Sequence, residues 1–144
     1  MAKWENQTSG RSNVKLTLVQ AVHLGESSIH VALYKVDSNL HKAILEEGLN
    51  RNLRILYSGT INSGLAYEGI ETSEGQYGVV MGRINNDKVA SIKVELQNVS
   101  FDYKIKVPHE PYFIMATKLP KEIKEETYAG FHFFNKQNQE ISLE

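Results

Sequence analysis

The runs Ser91-Ile-Lys-Val-Glu-Leu96 and Phe101-Asp-Tyr-Lys-Ile-Lys-Val107 decide the fold class of this chain. In each run, apolar and polar residues alternate one by one, so the apolar side chains fall on one face of an extended strand. Residues 97–100 form the turn between the runs, and Tyr77-Gly-Val-Val-Met-Gly-Arg-Ile84 precedes them as another strand. The stretch therefore predicts a β-meander with one buried and one solvated face.

Further strand patterns flank this meander on both sides. They are short, rich in β-branched and aromatic residues, and separated by turn residues, as in a sandwich. We predict a mainly β fold, an antiparallel two-sheet β-sandwich (immunoglobulin-like or related) with at most one short helix. Predicted strands outside the meander cover residues 14–22, 29–36, 53–57, 112–116, 128–134 and 140–143. The predicted core includes Val94, Leu96, Phe101, Tyr103, Ile105 and Phe131.

Residues 40–49 have two competing interpretations. Leu40, Ile44 and Leu45 would share one face of a short helix that Gly48 could end, which is the favoured interpretation. In the alternative, residues 43–45 form a short strand and residues 46–52 turn the chain into the strand at 53–57. The sequence leaves both interpretations open.

Residues 58–76 carry several glycines and scattered polar residues. We expect a long connection with at most a brief strand in it. Long loops in compact domains are often functional, although a plain crossing between two sheets is the simpler interpretation.

Length and composition indicate one ordinary domain. The chain has 144 residues, of which 41% are hydrophobic and 23% are charged, enough to close a single core. Residues 1–13 are mostly polar, with Trp4 as their one large apolar aromatic residue, so we expect a mobile tail there. The predicted single β domain spans residues 14–143.

Charge and cysteine content narrow the function classes. The 16 basic and 17 acidic residues nearly cancel and form no charged run, so nucleic acid is not an expected partner. The absence of cysteine removes disulfides, thiolate metal sites and cysteine nucleophiles. No apolar stretch approaches the roughly 20 residues that span a bilayer. Any membrane contact is expected only through an anchor absent from this chain.

The succession Gly78-Val-Val-Met-Gly-Arg-Ile-Asn-Asn-Asp87, the strands that follow it and Phe131-His-Phe-Phe-Asn-Lys-Gln-Asn-Gln-Glu-Ile141 carry a family resemblance. Over its second half, the chain resembles β-sandwich domains of uncharacterised secreted or lipid-anchored proteins of Bacillus-type Gram-positive bacteria. The resemblance implies a β-sandwich and an extracellular or membrane-anchored place at the cell surface, with a cytoplasmic place as the alternative. The shared motifs are strand and turn patterns, so they transfer no functional residue.

Local signatures of catalysis and metal binding are missing from the sequence. The five histidines (residues 23, 30, 41, 109 and 132) lack the close spacing of a helical metal site, and no nucleophile elbow or P-loop occurs. Adjacent carboxylates at 46–47 and 125–126 point apart and are better explained as solvated charge. The tyrosines could line a sugar-binding face, but core packing is the favoured interpretation. We predict no catalytic, cofactor-binding or metal-binding residue.

Two function classes remain. The leading hypothesis is a non-enzymatic bacterial cell-envelope domain that contacts a protein or cell-surface component through residues 58–76 and 118–126. The alternative is a small-molecule or carbohydrate-binding module, or an enzyme with a site assembled from distant residues, such as His109 and Glu110 beside a tyrosine. A pocket of roughly 300 Å³ or more with convergent titratable groups would favour the alternative. Neither hypothesis specifies an oligomeric state.

Overall fold

The computed structural model describes residues 15–62 and 64–142 and consists almost entirely of antiparallel strands. A single 3-10 turn, Leu49–Arg51, lies among them, and the described ranges contain no α-helix. The strands are β1 (Leu16–His23), β2 (Ile29–Val36), β3 (Asn39–Glu47), β4 (Leu53–Thr60), β5 (Leu65–Thr72), β6 (Gly75–Gly82), β7 (Ser91–Leu96), β8 (Asp102–Lys106), β9 (Phe113–Lys118), β10 (Ala129–Phe134) and β11 (Glu140–Ile141).

The strands form three hydrogen-bonded sheets. Sheet A has the order β1-β2-β3-β4, sheet B the order β5-β6-β9, and sheet C the order β11-β10-β7-β8. The mainly β prediction is confirmed, in a sandwich-like stacking of antiparallel layers. The strands divide into three sheets instead of the expected two, and an immunoglobulin-type arrangement is not confirmed. The tail predicted for residues 1–13, including Trp4, lies outside the described residues.

Sheet B is the middle layer, and its central strand β6 is covered on both faces. Tyr77, Val79 and Met81 belong to the core shared with sheet A, whereas Val80 belongs to the core shared with sheet C. Successive side chains of a strand point to opposite faces, so β6 must be apolar on both sides to serve two cores. This explains its continuous apolar run Val79-Val-Met81, which has no exposed surface.

The two cores draw on different parts of the chain. Between sheets A and B, the main contributors from sheet A are Val31 and Leu33 of β2 and Ile44 of β3. Between sheets B and C, Ile92 and Val94 of β7 pack with residues of sheet B such as Phe113. A third buried cluster lies on the other face of sheet A and comprises Ala32, Tyr34, Ala43 and Leu45.

The core predicted from the meander is confirmed in part. Val94, Leu96 and Ile105 are buried as expected. Phe101, Tyr103 and Phe131 are only partly buried and pack at the margin of the second core. For Phe101 and Tyr103 the reason is that β8 is an edge strand of sheet C, where less of each side chain is covered. Phe131 lies on β10, whose outer neighbour β11 pairs only with Phe133 and Phe134.

The favoured helix at residues 40–49 is wrong, because this segment forms β3 and ends in the 3-10 turn. β3 lies between β2 and β4, and its residues pair in register from Asn39 opposite Val36 to Glu46 opposite Ile29. Ala43, Ile44 and Leu45 are all buried, since both faces of sheet A are covered there. Two-sided burial removes the alternation that would have indicated a strand.

The long connection expected at residues 58–76 is also wrong. β4 continues to Thr60, and β5 pairs with β6 from Leu65 to Thr72 across a tight turn. Glu68 makes this strand look polar, yet it forms a partly buried ion pair with Lys42 of sheet A. The polar residue is therefore part of the contact between two sheets.

Two glycines of sheet B allow sheet C, and the residues that lead into β10, to pack closely against it. Gly69 and Gly78 are directly opposite each other on β5 and β6. A Cβ atom on Gly69 would lie 2.6 Å from Thr127 Oγ1, and one on Gly78 would lie 2.7 Å from the hydroxyl oxygens of Tyr67 and Tyr103. The Tyr67 hydroxyl also hydrogen-bonds Thr127 Oγ1 at 2.7 Å. The glycine pair thus leaves a notch that these polar groups fill.

This notch predicts a position-specific cost of adding one methyl group. Gly78→Ala should reduce the free energy of unfolding by about 1–3 kcal/mol, because the two hydroxyls and the strand behind them must shift. Gly59→Ala is the matched control on β4, where the nearest atom to the added Cβ is Lys42 Cε at 3.9 Å. The control should be neutral or slightly stabilising. Urea melts of both variants measure the difference, and equal stabilities would contradict the close packing.

Candidate functional site

A cleft of about 500 Å³ opens where sheets A and B meet at one end of their strands. We call it the Tyr112 cleft. One wall comes from the β2–β3 hairpin, the end of β4 and the segment after it, which runs to the residue before β5. The other wall comes from the residues just after β6 and just before β9. The lining consists of Lys35, Asp37, Ser38, Asn39, Leu40, Thr60, Ile61, Asn62, Gly64, Arg83 and Tyr112.

Backbone contacts hold these segments together. Arg83 N–H donates to the Gly64 carbonyl at 2.7 Å, and Ile61 N–H donates to the Leu40 carbonyl at 2.9 Å. Gly82 has φ +132°, and a Cβ atom there would collide with the Gly64 carbonyl oxygen. Glycine is therefore required at position 82, because the chain needs both the positive φ and the close approach. This backbone arrangement places Arg83 at the cleft.

Two cationic side chains converge on the ring of Tyr112. Lys35 Nζ lies 4.7 Å from the ring centroid, and Arg83 Cζ lies 5.9 Å from it. Both distances fall within the roughly 6 Å range of cation–π attraction. The ring itself packs against the first core, so it is held by the body of the protein. Tyr112 thus gathers two positive charges that lie 48 residues apart in sequence, at positions 35 and 83.

The pKa of Tyr112 is shifted in the opposite direction from the pKa values of four other tyrosines. A hydrogen bond with Lys35 is the main cause that lowers the pKa of Tyr112, and burial opposes it by a smaller amount. The charges of Lys35 and Arg83 each lower the pKa further, by less than burial raises it. By contrast, burial raises the pKa values of Tyr57, Tyr67, Tyr77 and Tyr103. The lowered pKa of Tyr112 shows that its surroundings favour negative charge.

The charged groups of the cleft have no salt-bridge partner within the part of the chain that the structure describes. Ion pairs there join Lys42 to Glu68, Arg54 to Glu46, Lys93 to Asp102, His30 to Glu47, and His132 to both Glu95 and Glu140. None of them includes Lys35, Asp37 or Arg83. Among the described residues, no carboxylate in direct contact neutralises the positive charges at Tyr112.

The histidines are distributed over separate places. His23 and His30 stack with ring centroids 4.2 Å apart, and His30 Nε2 lies 2.9 Å from Glu47 Oε1. His132 lies between Glu95 and Glu140 on sheet C, at 3.4 and 3.1 Å. The residues that the structure describes contain no group of three or more metal-ligating side chains suited to a metal ion.

The distant-residue site suggested around His109 and Glu110 does not form at the Tyr112 cleft. Neither residue lines it, although Tyr112 follows them closely in sequence. The Glu110 carboxylate instead accepts a hydrogen bond from the Gln20 side chain at 3.3 Å. The structure therefore brings together a tyrosine and two cations, and leaves the suggested acid and imidazole outside.

The tyrosines are used mostly for packing. Tyr34 and Tyr77 are buried, and Tyr67 and Tyr103 pack against the second core. Tyr57 and Tyr128 are exposed. Tyr57 lines a groove beside Leu56 and Gly69, and this groove shares no lining residue with the Tyr112 cleft. Tyr112 combines packing with a place in the cleft.

Sequence patterns could not have assembled this site. Lys35 is the one charged residue in the run Ile29-His-Val-Ala-Leu-Tyr-Lys-Val36, and Arg83 interrupts an apolar run just after Gly82. A charged residue inside an apolar run was the only local sign that Lys35 or Arg83 could belong to a site. Their meeting depends on the crossing of sheets A and B, which no local pattern specifies.

Comparison with protein-family models, with curated proteins and with solved structures gives no match for this chain. The resemblance to Bacillus-type envelope proteins therefore stays a prediction. Within residues 15–62 and 64–142, no helix has the length and apolar character that a membrane crossing requires.

The lowered pKa of Tyr112 predicts its behaviour in a tyrosinate titration. Tyr112 should ionise at lower pH than the tyrosines whose pKa values burial raises, and Lys35→Met should move its midpoint upward. Because the pKa is lower in the folded state, its ionisation adds stability as pH rises from the folded midpoint towards that of unfolded tyrosine, about 10. Ultraviolet absorbance of wild type minus Tyr112→Phe isolates this residue. A midpoint unchanged by Lys35→Met would contradict the assignment.

Proposed function

We propose that the protein is a non-enzymatic binding module that holds a small anionic molecule in the Tyr112 cleft. One observation carries this proposal: Lys35 and Arg83 converge on one tyrosine ring without a carboxylate partner in the described part of the chain. A pocket of this size with convergent titratable groups was the condition that would favour the alternative to the envelope contact domain, a class that includes small-molecule modules. The cleft lies within the usual range of ligand pockets, roughly 300–1,000 Å³.

Placing two like charges side by side is unfavourable unless an anion lies near them. An anionic group between Lys35 and Arg83 would interact with both, and the Tyr112 hydroxyl could donate a further hydrogen bond. The Tyr112 ring and the apolar side chains of Leu40 and Ile61 provide an apolar surface for the rest of the ligand. A few polar anchors on an apolar wall are typical of small-molecule sites.

The lining suits the recognition of charged groups. Among its described residues, Lys35 and Arg83 are the two cations, Asp37 is the one carboxylate, and no histidine accompanies them. Both cations lie at the ring of Tyr112, where their charges can contact a ligand. The cations and Tyr112 lie at the ends of paired strands, where the backbone is well held, and such positions suit selective recognition.

Calorimetric titration with small anions tests the proposal. Citrate, glutarate and inorganic phosphate should include at least one ligand of the wild-type protein, with affinity that falls as salt rises. Lys35→Met and Arg83→Met should each weaken that ligand roughly tenfold or more, because each removes a charge-assisted hydrogen bond. Both substitutions keep a long apolar side chain.

Lys104→Met is the matched control, since Lys104 lies over the ring of Phe134 on sheet C and is not part of the cleft lining. It should bind the anion as the wild type does. Equal losses in Lys104→Met and Lys35→Met would indicate a general charge effect and contradict the assigned site. Absence of binding by every anion would overturn the proposed function.

A second candidate is the contact role expected for a cell-envelope domain. Its support is an exposed apolar surface on β4 and the 3-10 turn before it. Leu49 of the turn is 91% exposed, and Leu56 and Tyr57 of β4 are each 43% exposed. Leu56 is an extra, bulged residue relative to β3, which hinders strand pairing at this edge and leaves side chains to make contacts. Lys124 and Glu126 of the predicted contact segment line a groove beside Leu56 and Tyr57.

Location separates this candidate from the first. An envelope contact domain should be found in the cell-wall or membrane fraction of its native host, as antibody detection after fractionation would show. Recovery in the cytoplasmic fraction would contradict the envelope role and leave ligand binding in the Tyr112 cleft unaffected.

A further inference from the structure

We infer that the ligand of the Tyr112 cleft is a small zwitterion with two anionic groups and one ammonium group, of which an acidic α-amino acid is the simplest member. This inference rests on the proposed function and names its ligand class. It comes from the third charged group of the cleft, Asp37, which a purely anionic ligand would leave unused.

The charges of the cleft define the complementary ligand. Lys35 and Arg83 contribute two positive charges, and Asp37 contributes one negative charge. A ligand with two carboxylates and one ammonium group has the opposite pattern and a net charge of −1. Charge complementarity of this kind selects one ligand over its analogues, because each unmatched group would be desolvated without a partner.

Asp37 is held in place at the mouth of the cleft. It occupies the first position of the two-residue turn between β2 and β3, with φ +56°. Its backbone N–H donates to the Lys15 carbonyl at 2.7 Å, and its Oδ1 lies 3.4 Å from the Lys15 backbone nitrogen. These contacts fix the position of Asp37, which follows Lys35 by two residues in the sequence and lines the same cleft.

Neutral polar groups complete the lining around Asp37. Ser38 and Asn39 follow it in the hairpin, and Thr60 and Asn62 lie on the β4 side of the cleft. Their hydroxyl and amide groups can accept hydrogen bonds from an ammonium group or donate them to a carboxylate. An ammonium group therefore finds acceptors near Asp37, while the carboxylates find donors at Lys35 and Arg83.

Three compounds that differ by one group each test the inference by calorimetry. Glutamate has both carboxylates and the ammonium group, glutarate lacks the ammonium group, and glutamine lacks the second carboxylate. Wild type should bind glutamate roughly tenfold or more tightly than either analogue, since each lost contact is a hydrogen bond between charged groups.

Asp37→Asn isolates the role of the carboxylate. Asparagine tolerates positive φ, so the hairpin should persist, and unchanged thermal melting checks this. In this variant the preference for glutamate over glutarate should disappear, while glutarate binding is kept. Asp102→Asn, at an exposed position of β8, is the control and should preserve the preference for glutamate over glutarate.

The outcomes separate the two levels of the proposal. If wild type binds glutarate as tightly as glutamate, and Lys35→Met weakens both, the anion site stands and the zwitterion inference is overturned. If the glutamate preference survives Asp37→Asn, Asp37 is not the ammonium partner and the inference is likewise overturned. If none of the three compounds binds but another anion does, the proposed function stands without this ligand class.

Discussion

The burial of β6 on both faces is the constraint on which the rest of the structure depends. A strand without exposed side chains must be covered by two layers, and the chain supplies them in order, sheet A before β6 and sheet C after it. Val79 and Met81 anchor one core and Val80 anchors the other. Since apolar burial is the dominant favourable term in folding, this single strand links the stability of both cores.

The same stacking accounts for the glycines of the middle sheet. Gly69 and Gly78 allow polar groups of sheets B and C to approach the backbone, whereas Gly82 allows the β6 end to pass the Gly64 carbonyl. Near that end of β6, Lys35, Arg83 and Tyr112 line the cleft. The cleft therefore lies where strands of sheets A and B end, and its charged residues make it suitable for a ligand.

Sequence patterns predicted most of the strands, including β2 and β6, and missed β3 and β5. The alternation in β7 and β8 gave the correct strands, and the paired runs of β1 and β2 gave the correct hairpin. β3 was assigned to a helix because Ala43, Ile44 and Leu45 are buried on both faces, and β5 was missed because Glu68 pairs with Lys42 across two sheets. The candidate site was beyond local patterns, since its residues meet only through the crossing of sheets A and B.

Amide hydrogen exchange of β6 tests the central claim most directly. If β6 is the strand that links both cores, the amides of Val79, Val80 and Met81 should exchange only through global unfolding and be the slowest in the chain. The edge strands β1 and β4 should exchange much faster through local opening. Exchange of the β6 amides at the rate of these edge strands, while β2 or β7 remained protected, would contradict the account.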